Sequence, residues 1–207
     1  EDNYQGSSTY ITQIEGMQLN EGFLSSWFIT DQEKQAAIHK NPYILIADYD
    51  ISHIQLLMPI IELVLGKEKR PLVIIAANVT GSALAHLVAN YQKAGVPLLA
   101  CKAPGFGDTR LEQLTDLAIL TGGKVISNSA GLELEKVTLE DLGQVDNVIA
   151  NKYHTTFIGG KGKKELINAR IKFMQATIAN LQDDYQKEKL SERLAKLTSG
   201  VAVIKVG

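Results

Sequence analysis

The stretch YILIADYDISHIQLLMPIIELVLGKEKRPLVIIAA, residues 43–77, holds two apolar runs, Tyr43–Ala47 and Leu72–Ala76, separated by far more chain than a hairpin needs. Neither run alternates apolar with polar, as expected of strands covered on both faces in a parallel sheet. Between them, Ser52–Gly66 carries apolar residues at helical spacing, so the stretch reads as strand–helix–strand. The pattern continues downstream. Leu98–Cys101 and Lys124–Ser127 read as further strands, and Thr80–Lys93 and Asp108–Leu120 as helices. Alternation of this kind defines an α/β chain, a layered sheet flanked by helices. Lys163–Leu197 reads as a C-terminal helical pair that turns at Asp183–Asp184. After Ser199–Gly200, Val201–Val206 reads as one more strand. The first fourteen residues, rich in Ser, Thr, Gly and Tyr, read as a flank.

The helix after Ser52 has more apolar surface than one packed face requires. Ile54, Leu56, Leu57, Met58, Ile60, Ile61, Leu63, Val64 and Leu65 span an arc of roughly 220° at about 100° per residue, against the ~100° stripe that covers a sheet. Pro59 is disfavoured in a helix interior, so the helix is expected to restart with Pro59 at its first position. Met58, Ile61 and Leu65 then form one edge of the arc, while Ile60, Leu63 and Val64 point to the core. Two readings stay open on periodicity alone: a helix buried all round, or an exposed apolar strip of the kind that marks a binding surface. The next helix repeats the ambiguity. Thr80 is its expected N-cap, Leu84, Leu87 and Tyr91 its core stripe, and Val88 and Ala89 widen the apolar face. Phe23, Trp27 and Phe28 add a third apolar element in a polar segment.

Composition excludes several classes. With 207 residues, 45% of them hydrophobic, the chain can build a core without disulfides or metal. A net charge of −2 supplies no field to hold nucleic acid or an anionic membrane. Lys161–Lys164 is a local exception and reads as a solvated loop. Cys101, the only cysteine, lies in an apolar stretch and reads as a buried, inert thiol, compatible with a reducing compartment. Leu56–Gly66 is too short to span a bilayer, no signal peptide is visible, and the start at Glu1 is that expected of a processed or excised piece.

Catalytic motifs are missing. Neither Pro104-Gly105-Phe106-Gly107-Asp108 nor Gly159-Gly160-Lys161-Gly162 completes a phosphate loop or a dinucleotide fingerprint, so both read as turns. His39, His53, His86 and His154 are scattered without metal-site spacing. The carboxylate pairs Glu133/Glu135 and Glu140/Asp141 lie on polar segments, and no nucleophile elbow is present.

Longer motifs carry a resemblance. Glu15-Gly16-Met17-Gln18 with Gly22-Phe23-Leu24-Ser25 is similar to EGMxFDRGYxSPYF of the group I chaperonins, the GroEL class. Lys102–Asp108 with Leu120-Thr121-Gly122-Gly123 and Val125-Ile126-Ser127 resembles that family's KAPGFGD, LTGG and VIS. Glu133–Lys136 and Thr138–Gly143 match ELEK and TLEDLG, and Glu188–Leu190, Glu192–Leu197 and Gly200–Gly207 are close to the family text. The resemblance runs in order from Glu15 onward.

It implies the apical, polypeptide-binding domain over residues 16–200. Residues 1–15 would be a flank from an intermediate domain and 201–207 a strand leading back into it, with Gly16 and Gly200 as hinges. Non-native polypeptides and the mobile loop of a co-chaperonin lid would compete for a groove formed by Phe23, Ser25, Trp27, Phe28, Met58, Ile61, Leu84, Val88 and Ala89. The fragment itself would carry no catalytic residue, cofactor or metal. ATP and magnesium would belong to a full-length cytoplasmic parent whose subunits form a homo-oligomeric ring, and nucleic acid and membrane are not expected partners. Several positions depart from the family. Glu21 stands where arginine is usual, Leu19-Asn20 replaces Phe-Asp, Ser26-Trp27 replaces Pro-Tyr, Ala77–Ser82 replaces an acidic EDVEGE, and Ser199 replaces a glycine. They suggest, as an alternative, a divergent paralogue specialised for interaction.

Overall fold

The computed structural model describes residues 9–206, and the side chains of residues 15–201; the rest of the expected flank, residues 1–8, and Gly207 lie outside the described residues. In chain order the strands are β1 (Thr9–Ile14), β2 (Gly16–Leu19), β3 (Ala37–Lys40), β4 (Tyr43–Ile51), β5 (Leu72–Val79), β6 (Leu98–Lys102), β7 (Val125–Ser127), β8 (Gly143–Gln144), β9 (Asn147–Ala150), β10 (Thr155–Ile158) and β11 (Val201–Val206). The helices are α1 (Met58–Ile61), α2 (Gly81–Ala94), α3 (Gly107–Thr121), α4 (Lys164–Asn180) and α5 (Asp184–Thr198).

The apolar runs do form the central sheet. Its order is β6-β5-β4-β7, all parallel, with β8 antiparallel beside the start of β4. Ile44, Leu45, Ala47, Leu72–Ala76 and Leu98–Cys101 are fully buried, as residues covered from both sides must be. The steps β4→β5→β6 move in one direction along the sheet, and right-handed crossovers put α1 and α2 on the same face. The step from β6 back across to β7 reverses direction, so α3 covers the opposite face. On that side α4 and α5 pack against each other and onto α3.

The antiparallel sheet β2-β10-β9-β3 has no counterpart in the sequence reading. β1, read only as part of a flank, pairs antiparallel with β11 from Thr9↔Val206 to Ile14↔Val201. Gly200, between α5 and β11, has φ +68°, a conformation that favours a residue without Cβ. Gly16 differs: a Cβ there would collide with the Phe157 carbonyl oxygen across the β2–β10 ladder, so close approach is what requires glycine.

The helix after Ser52 is broken up. A 3-10 turn spans Ile54–Leu56, α1 begins at Met58 with Pro59 second rather than first, and Glu62–Glu68 runs on in the wider π register until Lys69 (φ +55°) ends it. This change of pitch corrects one expectation. Val64 stays buried beneath Ile60, but Leu63 is rotated off the core and is only half-buried. Thr80 does occupy the N-cap of α2, but its side chain makes no capping bond.

Candidate functional site

Ser25, Trp27 and Phe28 are placed by one short turn. Ser25 Oγ accepts a hydrogen bond from Trp27 N (3.2 Å) and caps the 3-10 turn Ser26–Phe28. Consecutive residues of so tight a turn cannot face the same way, and Trp27 is 65% exposed while Phe28 is 0%. Phe28 is therefore not a surface residue, contrary to the sequence expectation. Its ring packs 6.3 Å from the ring of Tyr91 on α2, beneath the turn. Just before it, the chain adds to the edge of β6: Leu24 N donates to Ala100 O (2.9 Å) and Lys102 N to Gly22 O (3.1 Å), with Phe23 opposite Cys101. Two further bonds fasten the segment to α2, Tyr91 OH to Ile29 O (3.1 Å) and Gln92 Nε2 to Trp27 O (2.5 Å).

α2 thus lies between this segment, at the β6 edge, and the 3-10 turn Ile54–Leu56 that leads into α1. At its start, Ala83 N (3.3 Å) and Ser82 Oγ (3.1 Å) donate to Ser52 O, tying α2 to the chain that leads into α1. Ala83 and Leu87 point inward and are fully buried. From that inward direction, 100° steps put Leu84 and Val88 on the flank of Tyr91, towards Phe23, Ser25 and Trp27. Ala89 falls on the opposite flank with His86, on the side of Met58 and Ile61. Eight of the nine expected positions are at least partly accessible and divide into two strips, one along each side of α2. Met58 is 39% exposed; Phe23, Ile61, Leu84 and Val88 are half-buried and also touch the core. Neither open reading of the apolar helices holds in full: Met58 is exposed, while Ile61, Leu84, Val88 and Ala89 are partly buried.

Chemically, the strips offer dispersion and desolvation. Their polar groups are few: the Ser25 hydroxyl, Glu62 beside Ile61, His86, whose Nδ1 is 2.6 Å from Ser82 O, and the Gln92 amide. Nothing in them resembles a general base paired with a nucleophile. Beneath Phe23, burial pushes the Cys101 thiol up to about 12, so little thiolate exists at neutral pH. Among the described residues, no group of three or more His, Cys, Asp or Glu could hold a metal ion, and no helix is long and apolar enough to cross a membrane.

The place where open α/β sheets commonly bind ligands is the crevice where strand order reverses, here between the carboxyl ends of β4 and β7. Leu134, on a 3-10 turn over Leu134–Lys136, is buried against this region. Tyr49 OH donates to Leu132 O (2.5 Å) and lies 2.8 Å from Asn128 Oδ1; burial, then the charges of Glu133 and Glu135, raise its phenol above the usual range. Tyr49, Leu56, Asn128, Glu133, Leu134 and Glu135 line a shallow, open hollow of about 370 Å3 here.

Sequence reasoning missed a buried ionic cluster on the far face. Asp116, 0% exposed, receives Arg170 Nε (3.0 Å) from α4 and Arg193 Nε (2.8 Å) from α5, and both arginines also reach Glu112. Burial works against the Arg193 charge, but its bonds to Asp116 and Glu112 outweigh this and hold it above its ordinary value. The only signal was an aspartate one residue before Leu117-Ala118, with no indication of which cations would meet it. A scan against protein-family models finds no match to this chain.

Proposed function

We propose that this chain is the polypeptide-binding, apical domain of a group I chaperonin. The observation that carries the reading is the pair of apolar strips flanking α2, composed of the residues that the motif resemblance singles out, Phe28 excepted. A client in extended or helical form lays apolar side chains along Trp27, Leu84 and Val88 on one flank, or along Met58, Ile61 and Ala89 on the other. Each well-buried client side chain contributes ~1.5–3 kcal/mol before ordering costs. Such contacts are non-directional, which suits many different clients, and Met58 adapts its shape. The mobile loop of a co-chaperonin lid is the second ligand, competing for the same strips. The parent supplies ATP and magnesium chemistry from another domain, assembles as a homo-oligomeric ring and works in the cytoplasm. Gly16 and Gly200, adjacent to the β1–β11 pair, are the hinge positions.

The test is a titration of the chain with an unfolded, reduced polypeptide and with a lid mobile-loop peptide, repeated with Ile61→Glu. Competitive binding of both, weakened at least tenfold by the variant, is expected for a loss of ~1.5–3 kcal/mol. Failure of both ligands to bind overturns the assignment.

A second reading, a divergent paralogue kept as a specialised interaction protein, is favoured by Glu21 in place of arginine and by the acid-free Ala77–Ser82, where the Asn78 side chain accepts a bond from Val79 N. Binding of client but not of loop peptide, with no rescue of a chaperonin-deficient strain by the full-length protein, selects this reading.

A further inference from the structure

On the sheet face opposite α1 and α2, the start of α3 and the α4–α5 pair enclose an open cleft of about 720 Å3. It shares no residue with the strips along α2, and its volume is within the ~300–1,000 Å3 range of small-molecule sites. Pro104, Leu181, Leu190 and Tyr185 give it apolar surface. Its acids Asp108, Glu112 and Glu192 match the cations Lys189, Arg193 and Lys196 in number, so no net field selects a charged ligand.

The three cations differ. Arg193 is bonded to Asp116 and Glu112, and Lys189 Nζ is 3.6 Å from Glu192. Lys196 is half-buried, and among the described residues its ammonium has no ion-pair partner or hydrogen-bond acceptor. We infer that Lys196 is a nucleophilic amine in a small-molecule cleft, one that captures neutral aldehydes as imines. Burial lowers its pKa, outweighing the opposing pull of Glu192 and Asp116, so more of the neutral amine is available than on an exposed lysine. The neutral nitrogen adds its lone pair to the carbonyl carbon, its two protons pass to the carbonyl oxygen, and that oxygen leaves as water, forming the C=N bond.

The experiment treats the protein with benzaldehyde and cyanoborohydride, whose hydride converts the imine to a stable secondary amine, and maps modified lysines by peptide mass spectrometry. At about pH 7.5, Lys196 is expected to react roughly fivefold or more faster than exposed Lys187 and Lys163, with a rate that saturates in aldehyde. Benzyl alcohol, which occupies the cleft but forms no imine, slows Lys196 and leaves Lys187 unchanged. Lys196→Arg removes the fast site. A Lys196 rate no greater than that of Lys187, or one that is linear in aldehyde and indifferent to benzyl alcohol, overturns the inference. Neither outcome bears on peptide binding by the strips.

Discussion

α1 and α2, with the chain joining them to the sheet, bury Leu57, Ile60, Val64, Ala83 and Leu87 completely, whereas α4 and α5 together bury only Met174. The first pair is held by apolar contact and still has apolar side chains to spare on its outer flanks. The second pair has little such contact and is oriented by Arg170 and Arg193 converging on Asp116. The contrast teaches that a helix can display a greasy edge when its inner edge already fixes it. A helix held mainly by charge instead depends on one carboxylate that must never lose its partners. Leu166 and Phe173, exposed on α4, show that apolar display occurs on the second pair too, but without a flanking element like the Trp27 segment.

The comparison breaks most visibly at Asp116. Asp116→Ala leaves two largely buried guanidinium groups short of a partner and should lower stability by about 3–5 kcal/mol in denaturant unfolding. Hydrogen exchange should locate the loosening in α4 and α5; equal loosening in α2 would mean the two faces are not independently held. Next in size, Phe28→Ala should cost about 3 kcal/mol or more as a core cavity opens beneath Tyr91. Trp27→Ala, one residue away, should change stability by less than about 1 kcal/mol while weakening peptide binding. Similar losses for both would place both rings in the core.

His39 gives a smaller, pH-dependent effect. It is buried, its Nε2 has no hydrogen-bond partner, and burial lowers its pKa from 6.5. The folded state therefore resists protonation that the unfolded chain accepts. Its contribution is complete above pH 6.5 and is lost as pH falls from there through the folded-state value. His39→Leu should flatten the decline of unfolding free energy in that window, and an unchanged decline would assign it to other groups. Modest stability effects are expected at Ile61→Glu and Val88→Glu, about 1 kcal/mol each because both side chains are only half-buried. Each should nonetheless weaken binding of an unfolded polypeptide at least tenfold in a fluorescence titration. Losses of several kcal/mol would instead make both residues core.

How much could be read without coordinates follows from how local each signal is. The parallel strands were legible because four or five consecutive aliphatic residues have no other stable place than between two layers. The helix ends were legible to within a residue or two, and Asp183, bonded to Gln186 N at 2.8 Å, starts α5 where the paired aspartates suggested. The sheet β2-β10-β9-β3 was not legible. Its strands are four residues long, and their partners lie up to about 140 positions away in the chain. The strips were legible as surplus grease, but not as two strips, since that depends on α2 lying between two neighbours.

The sequence alone determined the α/β class, the order of the central elements and the excess of apolar residues on α1 and α2, because periodicity and apolar runs act within one turn or one strand. Tertiary structure alone decided that Phe28 is inside and Trp27 outside, that the π register turns Leu63 off the core, and that Asp116 meets two arginines 54 and 77 residues away. Those outcomes depend on which distant surface arrives at a side chain, and a periodic pattern records which faces are apolar but not what will cover them.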